Sequence, residues 1–559
     1  MDVLLPRLKR THRQNEARLL TAELLDAWRW SLSPQRAHLA HAALDDAWRT
    51  LLLHEFHDIL PGSSIGPVYA DARRDLGALA TTLDAHITES LQAIAEDAQT
   101  PSGSLLIFNA SPFAASVLLE APAPNAGRRY TASIAGRRYT LRTQAGDSTS
   151  GMVLVEIPEL PALGIGTITE TDDELPFAAE ETPRVDDRTL ENAWFAVEFD
   201  DHGEIVSCVD KRMLGGRQLV PAGQALNRLQ AFEDRPTNFD ALDIDATYER
   251  APLPLGDASV EILERGPVRA TVRVLRRFRA STIEQRISLY GTTPRIDFTT
   301  RIDWHEQHVL LKAAFPLDVR SRTATAEIQY GAVERSTHRN TSWDAARFET
   351  VAHRWIDISE ASYGVSLLND GRYGHDAHDN VLRITLLRSP TDPDPEADQG
   401  LHEVTYSLYP HLGDWRAGGT VAAAYALNRP PYVVSPPPAG QDVATSQSEH
   451  AAFAALLQSG AANVVLEAVK RHESGDGLVV RIYEAHGARC RAEIRAALPL
   501  GSVIECDLLE RPLQRERGPA YVMWSESAAA SHDIPVVEDA AWSFDLRPFE
   551  VRTFHVRWG

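Results

Sequence analysis

The sequence predicts a multidomain α+β chain, a three-helix bundle followed by mainly antiparallel β-sandwich domains. Three observations carry that expectation. Apolar residues recur at steps of three and four through residues 12–98, the period of amphipathic helices. After Thr100-Pro101-Ser102-Gly103 the pattern turns to strand-like alternation. From there on, Pro, Gly and Asn break the chain into short runs, as in sheet proteins with one buried face.

Taken in order, Leu20, Leu24 and Trp28 line one helical stripe, and Leu44, Trp48 and Leu51 a second. Tyr69, Ala72, Leu76, Leu79, Leu83, Ile87, Leu91 and Ile94 line a third. Ser33-Pro34 separates the first two helices, and Pro61-Gly62-Ser63-Ser64 ends the second at about His57. Short connections of this kind join antiparallel neighbours, so residues 1–100 form the bundle.

LLIFNASPF, RYTASIAGRRYTLRT and MVLVEIPEL give a small β-sandwich over 101–186. WFAVEF, EIVSCVD, VRATVRVLRRF, TIEQRISLY, RIDFTTRIDW and LLKAAFPL extend the pattern into a large β-domain over 187–428. The stretch RPPYVVSPPPAG, 429–440, is too rich in proline to sit inside a sheet and is expected as an extended linker. NVVLEAVKR, GLVVRIYEAHG, ARCRAEIRA and PFEVRTFHVRW then make a last sandwich over 441–559. No repeat of 20–50 residues is evident.

Composition narrows the function classes. With Lys+Arg 56 against Asp+Glu 78, the net charge is −22. An acidic surface of that size repels nucleic-acid phosphates and anionic membranes, so neither is an expected partner. Cys208, Cys490 and Cys506 are odd in number and far apart, which excludes a disulfide framework or a cysteine metal site and suits a reducing cytoplasm. Residues 1–30 carry no continuous apolar signal segment and no run of about 18 apolar residues occurs, so a soluble, unexported, cytoplasmic protein is expected.

The most informative stretch is LLLHEFHDILPGSS, 51–64, where an apolar helical run ends on a His-Asp pair before a breaker. His57 and Asp58 are thereby placed at a helix terminus facing out of the fold. An imidazole that binds metal must be neutral and anchored on a rigid element, and a neighbouring carboxylate can bind substrate hydroxyls. Alone, the dipeptide also fits a capping histidine and a solvated turn. His54 and His57 stand at i, i+3, whereas the zinc-protease helix needs i, i+4, so a metalloprotease is excluded. Asp234, Arg235, Asn238, Asp240, Asp243 and Asp245 form a polar loop, and NDGRYGHDAHDN and RSPTDPDPEADQG, with Arg388, form two further polar turns. Trp304, Trp343 and Trp355 are candidate stacking surfaces or core residues. There is no Gly-rich phosphate loop.

LLLHEFHDILPGSSIGPVYADARRDL resembles the helix-bundle segment of the retaining α-mannosidases of glycoside hydrolase family 38. Residues 190–245, 327–359 and 363–400 resemble the β-rich half of the bacterial and cytosolic-type members. The resemblance implies a galactose-mutarotase-like large β-domain. It also implies a zinc-dependent glycosidase acting on terminal α-linked mannose, with His57 a zinc ligand and Asp58 beside the sugar. Asp234, Arg235, Asp240 and Arg388 are the further candidate substrate-binding residues, at the rim of the sugar pocket.

Retaining hydrolysis needs two carboxyl groups about 5 Å apart. The resemblance places both, with three of the four zinc ligands, on an N-terminal barrel preceding the bundle. Here the 56 residues before His57 read as bundle, without a His-x-Asp strand motif. His57 with at most Asp58 falls short of the three protein ligands of catalytic zinc, so the ion is incompletely ligated by this chain.

The expectation is an α-mannosidase polypeptide with no catalytic residues of its own, inactive alone and acting on α-mannoside oligosaccharides when joined to a separately encoded catalytic half. The alternative is a non-catalytic carbohydrate-binding or scaffold module. Either way, unpartnered apolar patches on the bundle and the large β-domain should favour self-association or binding of the missing half. The family segment carries an amide pair where this chain has His54-Glu55, which adds an imidazole one turn from His57 that either disturbs it or faces solvent.

Overall fold

The computed structural model describes residues 4–33, 41–101, 103–122, 129–145, 152–171, 182–436, 454–513 and 535–559. Three long helices come first: α1 (Pro6–Leu32), α2 (His41–Leu53) and α3 (Gly66–Asp97). All eight residues of the third predicted stripe, from Tyr69 to Ile94, are buried on one face of α3. Leu24, Trp28, Leu44 and Leu51 are buried as well, whereas Leu20 and Trp48 are half-buried. No helix among the described residues is long and apolar enough to cross a membrane.

The bundle does not close its core alone. Leu19, Leu25 and Trp28 belong to one continuous apolar cluster with Leu466, Val480 and Phe554 of the last β-domain. Trp558 Nε1 donates to Ser31 Oγ at 2.9 Å, and Arg471 reaches Asp26 at 3.8 Å. The first and last parts of the chain are thus packed together, a contact the helical and strand periods leave open.

Two predicted boundaries shift. The small β-domain is one seven-stranded antiparallel sheet, and its edge strand is Tyr432–Val434, which pairs with Leu105–Phe108. Residues expected as a free linker therefore return to a sheet. The paired residues are Tyr-Val-Val, free of proline, with Pro430-Pro431 before them and Pro436 after, so no ladder hydrogen bond is lost to a proline. Residues 437–440 of that stretch lie outside the described residues. Conversely, Arg184–Asp186 pairs with Thr189–Glu191 in a five-stranded sheet of the large β-domain.

The large β-domain stacks a nine-stranded and a six-stranded antiparallel sheet on one core, which includes Phe298, Trp304, Phe315 and Tyr406. The last β-domain pairs two four-stranded sheets. With five α-helices among the described residues and otherwise antiparallel sheets, the chain is a multidomain α+β protein. The large domain is fastened to α1 through NDGRYGHDAHDN. Arg10 pairs with Asp370 at 2.8 Å, Arg13 Nε donates to Tyr373 Oη at 3.0 Å, and Arg372 Nη1 donates to the Pro6 carbonyl at 3.3 Å. In the same turn His375 is fully buried, and burial pushes its imidazole down to about 4. Asp376 is buried against Lys312 and Arg383. The Arg10, Arg13 and Arg372 contacts join the two domains, while His375 and Asp376 are enclosed within the large one.

Candidate functional site

The site is built on the turn between α2 and α3. The helix stops at Leu53, four residues before the predicted end, because the chain tightens there into i→i+3 bonds. His54 N donates to Leu51 O at 3.1 Å, Glu55 N to Leu52 O at 3.1 Å and Phe56 N to Leu53 O at 3.3 Å. Gly62 completes the reversal at φ 102°, and a Cβ there would stand 2.7 Å from Leu4 Cβ, so this position takes only glycine. Pro67 then opens α3 within its first turn, where a missing N–H costs nothing.

His57 and Asp58 project outward from this turn. Their side chains are 78% and 50% exposed, with Nε2 of the imidazole 3.2 Å from Asp58 Oδ2. The Phe56 ring lies against the imidazole at 4.3 Å. Asp58 is held from both ends: Ser63 Oγ donates to its Oδ1 at 3.1 Å, and Tyr69 Oη donates to its carbonyl at 3.3 Å. Tyr69 Oη also accepts from Ser64 N. Burial pushes this hydroxyl up to about 12; the Ser64 bond opposes the shift, while the carboxylates of Asp394, Asp58 and Asp398 reinforce it. Tyr69 is a stripe residue whose ring packs the bundle and whose hydroxyl holds the turn, and its sequence position shows only the first role.

His54, the extra imidazole, neither faces solvent nor touches His57. It is 4% exposed, on the same inner face as Leu51, and 3.5 Å from Asp75. Burial lowers its pKa, with Asp75 opposing. Glu55 turns toward His12 on α1 at 3.3 Å.

The other candidates come from loops more than 170 residues away, and the fold brings them together. Asp234 and Arg388 form a fully buried ion pair, with no side-chain exposure on either partner. Burial raises the Asp234 carboxyl while Arg388 lowers it. The expectation of a sugar-contacting pair is corrected here: buried against each other, these two groups present no surface to a ligand and instead staple two loops. Asp240 continues the staple, accepting from Thr391 N at 2.7 Å and Asp392 N at 3.3 Å, with His308 Nδ1 at 3.6 Å. Arg235 remains outside, 63% exposed and paired with Glu233 at 2.8 Å.

The stapled loop runs on to pack against the start of α3. A Cβ on Gly66 would stand 3.0 Å from Asp394 Oδ1. Asp394 and Asp398 both act on the Tyr69 hydroxyl. Asp394 escapes a reading of the sequence because nothing in DPDPEAD distinguishes the acid that meets a helix end from those that meet water. Asp398 is buried, and burial pushes its carboxyl up to about 7 against the pull of Lys9, Leu5 N, Arg372 and Arg388. Trp304 and Trp355 are core residues, and Trp343 is 77% exposed.

Apolar side chains are exposed along this segment. Leu52, Leu53, Phe56 and Ile65, within eight residues of His57 and Asp58 in the sequence, are 53%, 64%, 53% and 53% exposed. On the stapled loop Phe239 is 72% exposed and Leu242 40%. Phe239 also has φ 55°, a costly conformation for a bulky residue.

Chemically, the site offers one accessible imidazole and one accessible carboxylate. Among the described residues no three His, Cys, Asp or Glu side chains gather to hold a metal ion. Catalytic zinc takes at least three protein ligands, so this donor set by itself does not make a zinc site.

Comparison with known proteins gives a consistent picture. Residues 5–94 match the alpha mannosidase middle domain, 190–396 the C-terminal domain of glycosyl hydrolases family 38, and 463–554 the C-terminal beta sandwich domain of that family. The chain is 35% identical over 518 residues to alpha-mannosidase 2C1 of Homo sapiens, an alignment covering 90% of this chain and 46% of that protein. It is 29% identical to alpha-mannosidase G of Dictyostelium discoideum, covering 91% and 48%. The crystal structure of an alpha-mannosidase from Enterococcus faecalis V583 superposes with a TM-score of 0.75 at 17% identity, covering 99% of this chain and 67% of that one. The chain spans about half the length of the curated relatives it matches.

Proposed function

Because the chain belongs to glycosyl hydrolase family 38, through its middle, C-terminal and C-terminal beta sandwich domains, we propose that it is the bundle-and-sheet portion of a retaining, metal-dependent α-mannosidase. In this reading it acts on terminal α-linked mannose of oligosaccharides in the cytoplasm. It does so together with polypeptide that supplies the nucleophile, the acid/base and the remaining zinc ligands. His57 is this chain's contribution to the metal and Asp58 its contribution to the sugar hydroxyls. Arg235 and Asp240 lie on a loop stapled to the one whose Asp394 meets the start of α3, and are this chain's contribution to the rim.

The observation that carries the reading is the exposed His57–Asp58 pair, fixed by Ser63 and Tyr69, with Phe56 against the imidazole and Leu52, Leu53 and Ile65 exposed nearby in the sequence. Exposed apolar side chains beside a charged pair suit a face that receives a partner. The barrel side of the enzyme would cover them and bring its carboxylates over Asp58. No catalytic step is assigned to the residues described, since neither of the two carboxyl groups that retention requires is identified among them.

The test is hydrolysis of p-nitrophenyl α-mannoside. These 559 residues alone, with or without zinc, are expected to release no nitrophenol, and addition of a family 38 catalytic half is expected to restore it. His57→Ala should then abolish the restored activity. Robust turnover by the chain alone overturns the proposal, as does restoration indifferent to His57.

A further inference from the structure

Behind the site turn lies a cavity of about 810 Å³ where α1, the large β-domain and the last β-domain meet. It is of the size that takes a small-molecule ligand. His57 and Asp58 do not line it, although Glu55 and Pro61 of the same turn do. Nothing in the proposed mannosidase chemistry uses it.

Its charges are mostly matched in place. Arg354 is doubly hydrogen-bonded to Glu327, Arg429 pairs with Glu467 at 2.8 Å, and His12 faces Glu55. Lys9 Nζ donates to the Leu4 carbonyl at 2.7 Å and acts on the Asp398 carboxylate, whereas Arg13 has no acid among the described residues. It is 8% exposed, and no carboxylate of a described residue lies within ion-pair distance of it. Its Nε donates to Tyr373 Oη, and its Nη1 to neutral oxygens of Asn369 and Asn428 at 3.2 and 3.4 Å. Its Nη2 has no hydrogen-bond partner among the described residues. Glu16, the remaining acid of the lining, is exposed at the rim.

A guanidinium withdrawn from water without a counter-charge is costly, and carboxylates and phosphates are the groups its planar fork matches. We propose that this cavity binds a small oxyanion-bearing molecule, a carboxylate or phosphate, with Arg13 as its counter-charge and the hydroxyls of Tyr373 and Tyr330 as donors, those of Tyr425 and Tyr483 being engaged with Glu467 and each other. A ligand there touches three domains at once and ties them together. The inference does not depend on the mannosidase reading, because its test is binding and not hydrolysis.

The experiment titrates the whole chain with sodium phosphate and, separately, sodium malonate, at constant ionic strength held with sodium chloride. Calorimetry and melting temperature are the readouts. Saturable binding with a rising melting temperature is expected for at least one anion, weakened tenfold or more in Arg13→Met and less in Arg13→Lys. The better-binding anion identifies the class. Shifts that never saturate, or that persist unchanged in Arg13→Met, overturn the proposal. Should Arg13→Met not fold, hydrogen exchange of residues 9–16 in the unmodified chain decides: slowing by the anion over chloride supports the site, and identical exchange overturns it.

Discussion

Two surfaces of the first helices behave in opposite ways. Where α1 meets the large β-domain, Arg10 pairs with Asp370, Arg13 with Tyr373 and Arg372 with the Pro6 carbonyl, so these groups are engaged across the boundary. At the α2–α3 turn, His57, Asp58, Leu52, Leu53 and Phe56 are all exposed, and the hydrogen bonds there serve to fix the turn itself. The difference separates the residues that assemble this chain from those left available to something else. Charge alone does not make that distinction, since Asp234 and Arg388 are as polar as Asp58 yet belong to the first class.

The buried staple should respond most strongly to substitution. Arg388→Ala leaves Asp234 buried and unpaired, and should cost about 3–5 kcal/mol in urea unfolding of the domain that holds it. Replacing both partners by apolar residues of similar volume should recover most of the loss. If Arg388→Ala melts like the parent, the pair is not the anchor described here.

Asp398 gives the next effect, through pH. Its carboxyl is raised to about 7 in the folded chain against an ordinary value near 4. The folded state therefore holds this proton more tightly than the unfolded state, and its contribution to stability falls as pH rises from about 4 through 7. Asp398→Asn removes the dependence. Relative to the parent it should gain at least about 1.4 kcal/mol between pH 4 and pH 8, the equivalent of one pKa unit. Parallel stability profiles for the two proteins would contradict that.

Tyr69→Phe tests the turn that carries the exposed pair. It keeps the ring in the bundle and removes the hydroxyl that bridges Ser64 and Asp58, at a cost of about 1 kcal/mol. Its clearer sign should be faster hydrogen exchange confined to residues 58–65. The smallest effect on folding is expected at the open face, where His57→Ala and Phe56→Glu should leave the melting temperature unchanged. Phe56→Glu should nevertheless weaken association with a catalytic half, seen by size-exclusion chromatography. A folding defect in either variant would move these residues into the assembling class.

The three helices, the change to antiparallel sheets and the outward His57–Asp58 pair are legible in the residues alone. Each of these follows from local period or from a breaker a few residues away: the stripe from Tyr69 to Ile94 reads directly as one buried face, and Pro61-Gly62 as a stop. The sequence left open where α2 gives way to the turn, because the exchange of i→i+4 for i→i+3 bonds has no residue signature in HEFH. It also did not separate Asp234 and Arg388 from exposed polar residues. That those two lie buried together, that Tyr432–Val434 returns to the edge of an earlier sheet, and that α1 shares a core with the last sandwich emerge from packing. Sequence distance is why. Pairings between residues 154 or more than 300 positions apart are set by how whole sheets and helices fill one another's apolar faces, and no local pattern records which polar group will be enclosed when they do.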